Sequence, residues 1–517
     1  MAHEIEVKLE APLAAARRLS AAPWLKRIET APPKRAHLVS VYYDTPAAAL
    51  RSEGMSLRVR QIGNRRVQTV KAGPRGRCGP FCRQEWEYEI AGDRPEIADD
   101  DDTALARFSR KRLTRDLRPV FTTDIARMAI PVRSADSEIE IAIDRGEVRA
   151  KRNRAPISEI ELELKHGDPA SLVELAKRVA LVTEAGYGIA SKAERGYALS
   201  RNAGPISVEG AEIVVDAEMT AGEAFMTIAL SCVHHFAGNR DAVIARLPEG
   251  VHQMRIGLRR LRAAISFFKN MLQDADSAHI RRQLKWLLGE LGPARDLDVL
   301  IDESVVPLQR ARTGGDTLDT LKAELNRRRD AGIERAKKAV ASDRYRRTVL
   351  DTALWATGGA WTTGTKRALA EQRDGRVADI AAAEFGRREH KLEKKLKRLA
   401  KLNPRRRHKL RIAAKKLRYA GEFFTGLYDD RRPRHRLKQH RQALKALQAA
   451  LGKLNDMRAH DAIAGDFLHP RYRATKKPQK AFALGLISGE DHAHAAALIH
   501  AATKAGKQLA KTKPFWN

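Results

Sequence analysis

Cysteine is scarce in this 517-residue chain: three occur, Cys78, Cys82 and Cys232. They are too few and too scattered for a disulfide framework, and they lack the ligand pairs of a zinc site. Aromatic residues make up 5%, a poor supply for a protein that would stack nucleobases on its side chains. Nothing approaches 18 consecutive apolar residues, so no segment reads as membrane-spanning and no membrane partner is expected. The start runs from Met1 straight into the charged stretch His3 to Lys8, without the apolar core of a secretory signal. The expected location is the cytoplasm.

What the chain has in excess is positive charge. The formal net charge is +33, which calls for a polyanionic partner or a reason to tolerate self-repulsion. Up to residue 204 there are 36 Lys and Arg against 29 Asp and Glu; the remainder holds 61 against 35. The basic field therefore belongs to the second part. The length exceeds one ordinary core, so at least two domains are expected.

The two parts also differ in period. Glu4 to Leu9, Ser56 to Gln61, Glu85 to Ile90, Glu138 to Ile143 and Ser158 to Lys165 alternate charged with apolar side chains, the signature of antiparallel strands. The charged face gathers Glu4, Glu6 and Lys8, then Arg58 and Arg60, then Glu85, Glu87 and Glu89, then Glu138, Glu140 and Asp144, then Glu159, Glu161, Glu163 and Lys165. Rows of like charge along a strand face need a shared counter-charge. A polar tunnel holding metal and phosphate supplies one; an outward-facing charged surface is the other reading, and alternation alone leaves both open.

From about residue 216 the pattern turns helical, after a Gly- and Pro-containing stretch, Asn202 to Glu212, that reads as a linker. Four residues repeat here: His252, Arg255, Arg259 and Arg262 return as His408, Arg411, Lys415 and Arg418, always 156 positions later. Leu291, Gly292, Arg295 and Asp296 return as Leu451, Gly452, Asn455 and Asp456 at an offset of 160. At helical pitch the first set falls within an arc of about 80°, one basic stripe per unit. Two such stripes related by duplication can face each other across an anion groove.

These residues carry a resemblance. Glu4-x-Glu6-x-Lys8, Leu57-Arg58-x-Arg60, Thr69-x-Lys71, Arg118-Pro119-x-Phe121, Glu140-x-Ala142-x-Asp144 and Glu159-x-Glu161-x-Glu163-x-Lys165 resemble, in order, the CYTH superfamily of triphosphate tunnel metalloenzymes. The repeat His252-x2-Arg255-x3-Arg259-Arg260-x-Arg262 and its partner His408-x2-Arg411-x3-Lys415-Lys416-x-Arg418 resemble the CHAD domain, a helical polyphosphate-binding module. The resemblance implies a multidomain α+β chain: an antiparallel eight-stranded β-barrel with flanking helices over 1–203, a linker over 204–215, and an all-α duplicated helical bundle over 216–510. It further implies hydrolysis of inorganic triphosphate with Mg²⁺ or Mn²⁺. The implied metal ligands are Glu4, Glu6, Glu161 and Glu163, with Glu140 and Asp144 as further candidates; hard cations of this kind prefer such oxygen donors. Lys8, Arg58, Arg60, Lys71, Arg118, Arg127 and Lys192 are implied to hold the triphosphate. His252, Arg255, Arg259, Arg260, Arg262, His408, Arg411, Lys415, Lys416 and Arg418 are implied to bind polyphosphate, with polyphosphate granules as a further place of residence. A noncatalytic polyphosphate binder, or a hydrolase of thiamine triphosphate or ATP, is the alternative. No standard nucleic-acid motif appears, which speaks against nucleic acid as the partner.

Overall fold

The computed structural model describes residues 5–73, 84–97, 103–202, 204–311, 315–364, 366–428, 430–468 and 478–516. Among the described residues nine strands form one sheet: β1 (Ile5–Glu10), β2 (Lys34–Asp44), β3 (Met55–Ile62), β4 (Arg65–Ala72), β5 (Gln84–Ile90), β6 (Arg118–Ser134), β7 (Ser137–Ala150), β8 (Asn153–His166) and β9 (Gly186–Tyr187). Their order is β5-β4-β3-β2-β6-β7-β8-β1-β9, and every pairing is antiparallel. The expected eight strands are thus nine, because two-residue β9 is too short to leave a period in the sequence. Among the described residues β5 and β9 do not pair, so hydrogen bonds do not close the sheet into a ring. Tight hairpins set the register: Ile62 pairs with Arg65 across a two-residue turn whose Gly63 has φ +59°, a left-handed conformation that glycine adopts at little cost.

Both faces of this sheet are covered. Val7, Leu9, Ile141, Ile143, Ile160 and Leu162 point outward into a core shared with helix α1 (Pro169–Thr183). The charged residues of the same strands point the other way, yet Asp144 and Glu159 are 0% and 1% exposed. The curl of the sheet explains it: Lys71 on β4 acts electrostatically on Glu6 of β1, although five strands lie between them in sheet order. The alternating charge is therefore interior around Asp144 and Glu159, while Glu87, Glu89, Glu138 and Lys165 of the same rows stay exposed. Helix α2 (Lys192–Ser200) seals one end of this interior. Its Tyr197 packs with Phe121, Tyr42 and Ile157 and donates its hydroxyl to Asp44 at 2.9 Å, and Gly196 lies so close to the Phe121 ring that a Cβ would sit 2.1 Å from it.

Residues 204–217 are irregular but docked: Val208 exchanges hydrogen bonds with the Asn239 side chain at 2.9 and 2.8 Å. The helices that matter for function follow as α3 (Ala221–Ala237), α4 (Pro248–Phe267), α5 (Ala275–Leu300), α6 (Gly315–Val340), α7 (Asp343–Gly358), α8 (Val377–Leu396), α9 (Pro404–Phe423), α10 (Arg431–Leu468) and α11 (Pro478–Lys511). α4 and α9 each have 20 residues and each begin on a proline, where the missing N–H costs nothing. The sequence repeat is thus a repeat of whole helices. The apolar core is continuous between the parts, running from Ile160 and Leu172 to Phe225 and Trp355. Among the described residues no helix is long and apolar enough to cross a membrane.

Candidate functional site: a charged sheet interior and a basic helical groove

Pairing register assembles the first site in rungs. One rung sets Glu140, Glu163 and Glu6 side by side on β7, β8 and β1. The next sets Glu161 beside Lys8, and a third sets Arg127, Asp144 and Glu159 across β6, β7 and β8. On the other arm Arg58 and Arg60 of β3 and Lys71 of β4 share the same face, opposite Glu85 and Glu87 of β5.

Cations and carboxylates interlock here. Arg127 forks onto Asp144 from Nε at 2.7 Å and Nη2 at 2.6 Å and also reaches Glu161. Lys192 lies 2.8 Å from Asp144 and 2.7 Å from Glu161, and it also contacts Glu159. Lys71 meets Glu85 at 2.7 Å, Arg58 lies 3.4 Å from Glu87, and Arg60 donates from Nε to Ser40 at 3.1 Å. Burial opposes the charge on Lys192, but Glu161, Glu159 and Asp144 outweigh it and raise its pKa. Burial likewise opposes ionisation of Glu161, yet Lys192 and Arg127 hold it well below the usual carboxylate range. Burial also lowers the pKa of Lys8, against the pull of Glu159 and Glu161.

Glu6 behaves differently. Burial and the neighbouring charge of Glu161 push its pKa up to about 7, despite Lys71, Lys8 and Lys192. In the rung of Glu6, Glu163 and Glu140 three carboxylates stand side by side, with Glu163 paired to Lys165 at 2.6 Å, and a divalent cation beside them would favour the ionised form of Glu6. Asp144, Glu159 and Glu161 also bring carboxylate oxygens within 4.8 Å of one another, an all-oxygen donor set that suits a hard divalent ion. The acidic residues thus fit a metal, although Lys192 already contacts this second trio.

Most residues expected from the sequence meet on this face: Glu6, Lys8, Arg58, Arg60, Lys71, Arg127, Glu140, Asp144, Glu161, Glu163 and Lys192. Glu4 lies outside the described residues. Arg118 does not join them: it is exposed at the start of β6 and donates from Nη1 to the carbonyls of Arg115 and Leu117 at 2.7 and 2.8 Å. It pairs with Asp44 at the far end of the β2–β6 ladder, beyond a register shift between Tyr42 and Tyr43. Glu159 was missed as a site residue, although it stands in the same alternating run as Glu161 and Glu163.

In the helical part the two stripes converge. Arg259 of α4 acts electrostatically on Arg411 and Lys415 of α9. Arg255 donates to Asp296 at 3.1 Å, and its repeat equivalent Arg411 lies 4.0 Å from Asp456; the two repeated pairs of the sequence are thus two equivalent ion pairs. His408 is held through Nδ1 by Asn455, whereas His252 is half-buried, and burial and Arg295 lower its pKa. Burial, Arg411 and Arg259 together bring the Lys415 ammonium down to about 7. Among the described residues the buried Nε atoms of Arg255 and Arg411 have no hydrogen-bond partner. Arg418 donates to Gln448 at 3.0 Å and Glu422 at 2.7 Å. Arg262 acts electrostatically on Lys416, which reaches Ser266 at 3.1 Å.

Arg260 departs from expectation. It is 9% exposed, its guanidinium lies over the Phe423 ring and beside His235 and Gly210. One residue along a helix turns the side chain by about 100°, which takes Arg260 off the stripe of Arg259 and into the packing.

Comparison with known proteins agrees with this division. Residues 2–197 match the CYTH domain and residues 227–469 match the CHAD domain. An inorganic triphosphatase of Haemophilus influenzae is 32% identical over 162 residues, 31% of this chain. The match spans 46% of that relative's length. The crystal structure of the CHAD domain from the plant Ricinus communis is similar at 29% identity and a TM-score of 0.49, covering 59% of this chain and 97% of that one. PptA from Streptomyces chartreusis is similar at 19% identity and a TM-score of 0.39, over 56% of this chain and 100% of that one.

Proposed function

We propose that this chain, a CYTH domain joined to a CHAD domain, hydrolyses inorganic triphosphate on its charged sheet interior and binds polyphosphate in its basic helical groove. The observation that carries the reading is the interior itself: carboxylates and cations gathered on one face, with Asp144, Glu159 and Lys192 buried and Glu6, Glu163 and Glu140 side by side. Phosphoanhydride hydrolysis needs neutralised non-bridging oxygens, an aligned water and a stabilised leaving phosphate, and no covalent nucleophile.

Lys8, Arg58, Arg60, Lys71, Arg127 and Lys192 would hold the phosphates, the arginines through paired N–H groups and the lysines as compact charges. Glu6, Glu140 and Glu163, with Asp144, Glu159 and Glu161, would hold Mg²⁺ or Mn²⁺. Such an ion supplies charge neutralisation on phosphate oxygens and a more acidic water. An incoming phosphate chain competes with Glu85, Glu87 and Asp144 for the same cations, so binding exchanges internal ion pairs for contacts with substrate. In the helical groove the cluster around Arg259, Arg411 and Lys415 is a preformed seat for a longer phosphate chain. A cytoplasmic setting suits both activities.

Phosphate release from inorganic triphosphate tests the reading, with Mg²⁺, Mn²⁺ or EDTA, for the full chain and Glu6→Gln. Turnover that requires the metal and falls at least about 100-fold in the variant is expected. Absence of release from the unaltered protein overturns it.

A further inference from the structure

One short segment touches both parts of the chain. From the helical side, Arg346 of α7 donates from Nη1 to the Ala185 carbonyl at 2.5 Å. The stem of Arg346 lies against Gly186, where a Cβ would sit 3.1 Å from its Cγ. Asp343, one turn earlier on α7, accepts from Arg346 Nε at 2.8 Å and so aims the guanidinium. His234 of α3 meets the Tyr187 ring edge-on, with centroids 6.0 Å apart.

From the other side the same segment is woven into the charged interior. Gly186 and Tyr187 pair with Glu10 and Leu9 of β1. The Gly188 N–H donates to the Lys8 carbonyl at 2.9 Å, and Lys8 Nζ donates back to the Ala190 carbonyl at 2.5 Å. Ser191 then caps α2, whose first residue, Lys192, enters the carboxylate cluster.

We infer that Arg346 is a positioning residue for the phosphate-holding face: by anchoring Ala185 it sets the path of residues 185–192, and through Ala190 and α2 the places of Lys8 and Lys192. The inference rests on the reading of that face as a triphosphate site. β9 has two residues and two paired positions on β1, a weak hold on its own. The charged donor on Ala185 is a stronger one. A shift of about 1 Å in groups that grip a substrate is costly even when it arises far from the chemistry. The helical part is in this sense a wall of the hydrolytic site.

The test measures binding of the imido analogue of inorganic triphosphate, which is not turned over, to the full chain with Mg²⁺ by calorimetry. Arg346→Ala is expected to weaken binding about tenfold, a fraction of the roughly 100-fold that a 1 Å displacement can cost. The thermal midpoint is expected to stay within about 2 °C, as for a part-exposed surface contact. Arg346→Lys is expected to recover part of the affinity, because an ammonium still donates to Ala185. Equal affinity in Arg346→Ala and the unaltered chain overturns the inference. So does weakening that comes with a lowered midpoint and no rescue by lysine, or an unaltered chain that binds no analogue. Phosphate release decides the hydrolase reading separately: a chain that binds the analogue without turning over triphosphate rejects hydrolysis and leaves the comparison of variants valid.

Discussion

Two lysines, Lys192 buried and Lys415 half-buried, receive opposite treatment in the two parts of this molecule. Lys192, with 9% of its side chain exposed, touches Asp144, Glu159 and Glu161, and its pKa rises. Lys415 lies by Arg411 and Arg259, and its pKa falls to about 7. Burial works against the charge of both; the neighbours decide the outcome. The sheet interior carries its own counter-charge and must give up internal pairs to admit an anion. The helical groove leaves much of its positive charge uncompensated and gains from an anion outright.

The largest expected effect breaks the balanced side. Lys192→Met leaves Asp144 and Glu161 to Arg127 and leaves Glu159 with Arg195 at 3.7 Å, and uncompensated buried charge costs about 3–5 kcal/mol. Denaturation should show a clear loss of stability, and triphosphate turnover should fall at least about 100-fold. A variant as stable as the parent would show that Lys192 does not neutralise this cluster.

How far this division was legible differs between the two parts. Alternation announced the strands and the shared face of Glu6, Lys8, Arg58, Arg60, Glu161 and Glu163. It was silent on which face water reaches, because a period of two separates faces without saying what covers them. Here α1 covers the apolar face and the curl of the sheet encloses the charged one. Arg118 came from the motif resemblance, and a motif does not show that its side chain lies exposed at the start of β6 on the carbonyls of Arg115 and Leu117; β9 is invisible because two residues make no pattern. In the helical part the 156-residue offset marked α4 and α9 from end to end, since 3.6-residue periodicity and tertiary packing act on the same stretch. Arg260 lies apart from Arg259 for a simpler reason: adjacent cations in a motif share a line of text but not a side of the helix. The join between the parts left no sequence signal, because Arg346 and Ala185 meet only in space.

The next prediction sharpens the contrast through pH. A phosphate chain bound beside Lys415 adds negative charge and raises its pKa above the free value of about 7. Above pH 7 the bound state therefore holds more protons than the free state, so affinity falls as pH rises. Titrations with polyphosphate at constant salt should show roughly five- to tenfold weaker binding at pH 9 than at pH 7.5, within the roughly 24-fold that one linked proton allows over this interval. Lys415→Arg, charged throughout this range, should flatten the dependence. A slope that survives in the arginine variant assigns the proton to another group.

The smallest expected effect is the most discriminating, because it repeats the first substitution where the balance is reversed. Lys415→Met removes an ammonium from beside Arg411 and Arg259 and replaces it with an apolar side chain of similar length. It strips no carboxylate of a contact comparable to those of Lys192, and it relieves repulsion between like charges. Stability without any anion should stay within about 1 kcal/mol of the parent, or rise slightly. Polyphosphate affinity should nevertheless drop, and its dependence on salt should become shallower by up to about one unit in a plot of log affinity against log salt. If Lys415→Met destabilises the chain as strongly as Lys192→Met, the groove is not poised for an anion and Lys415 is a packing residue. If it spares stability and weakens polyphosphate binding, the two parts differ as their charges imply, one stable through pairs it must break and the other holding charge that only a ligand satisfies.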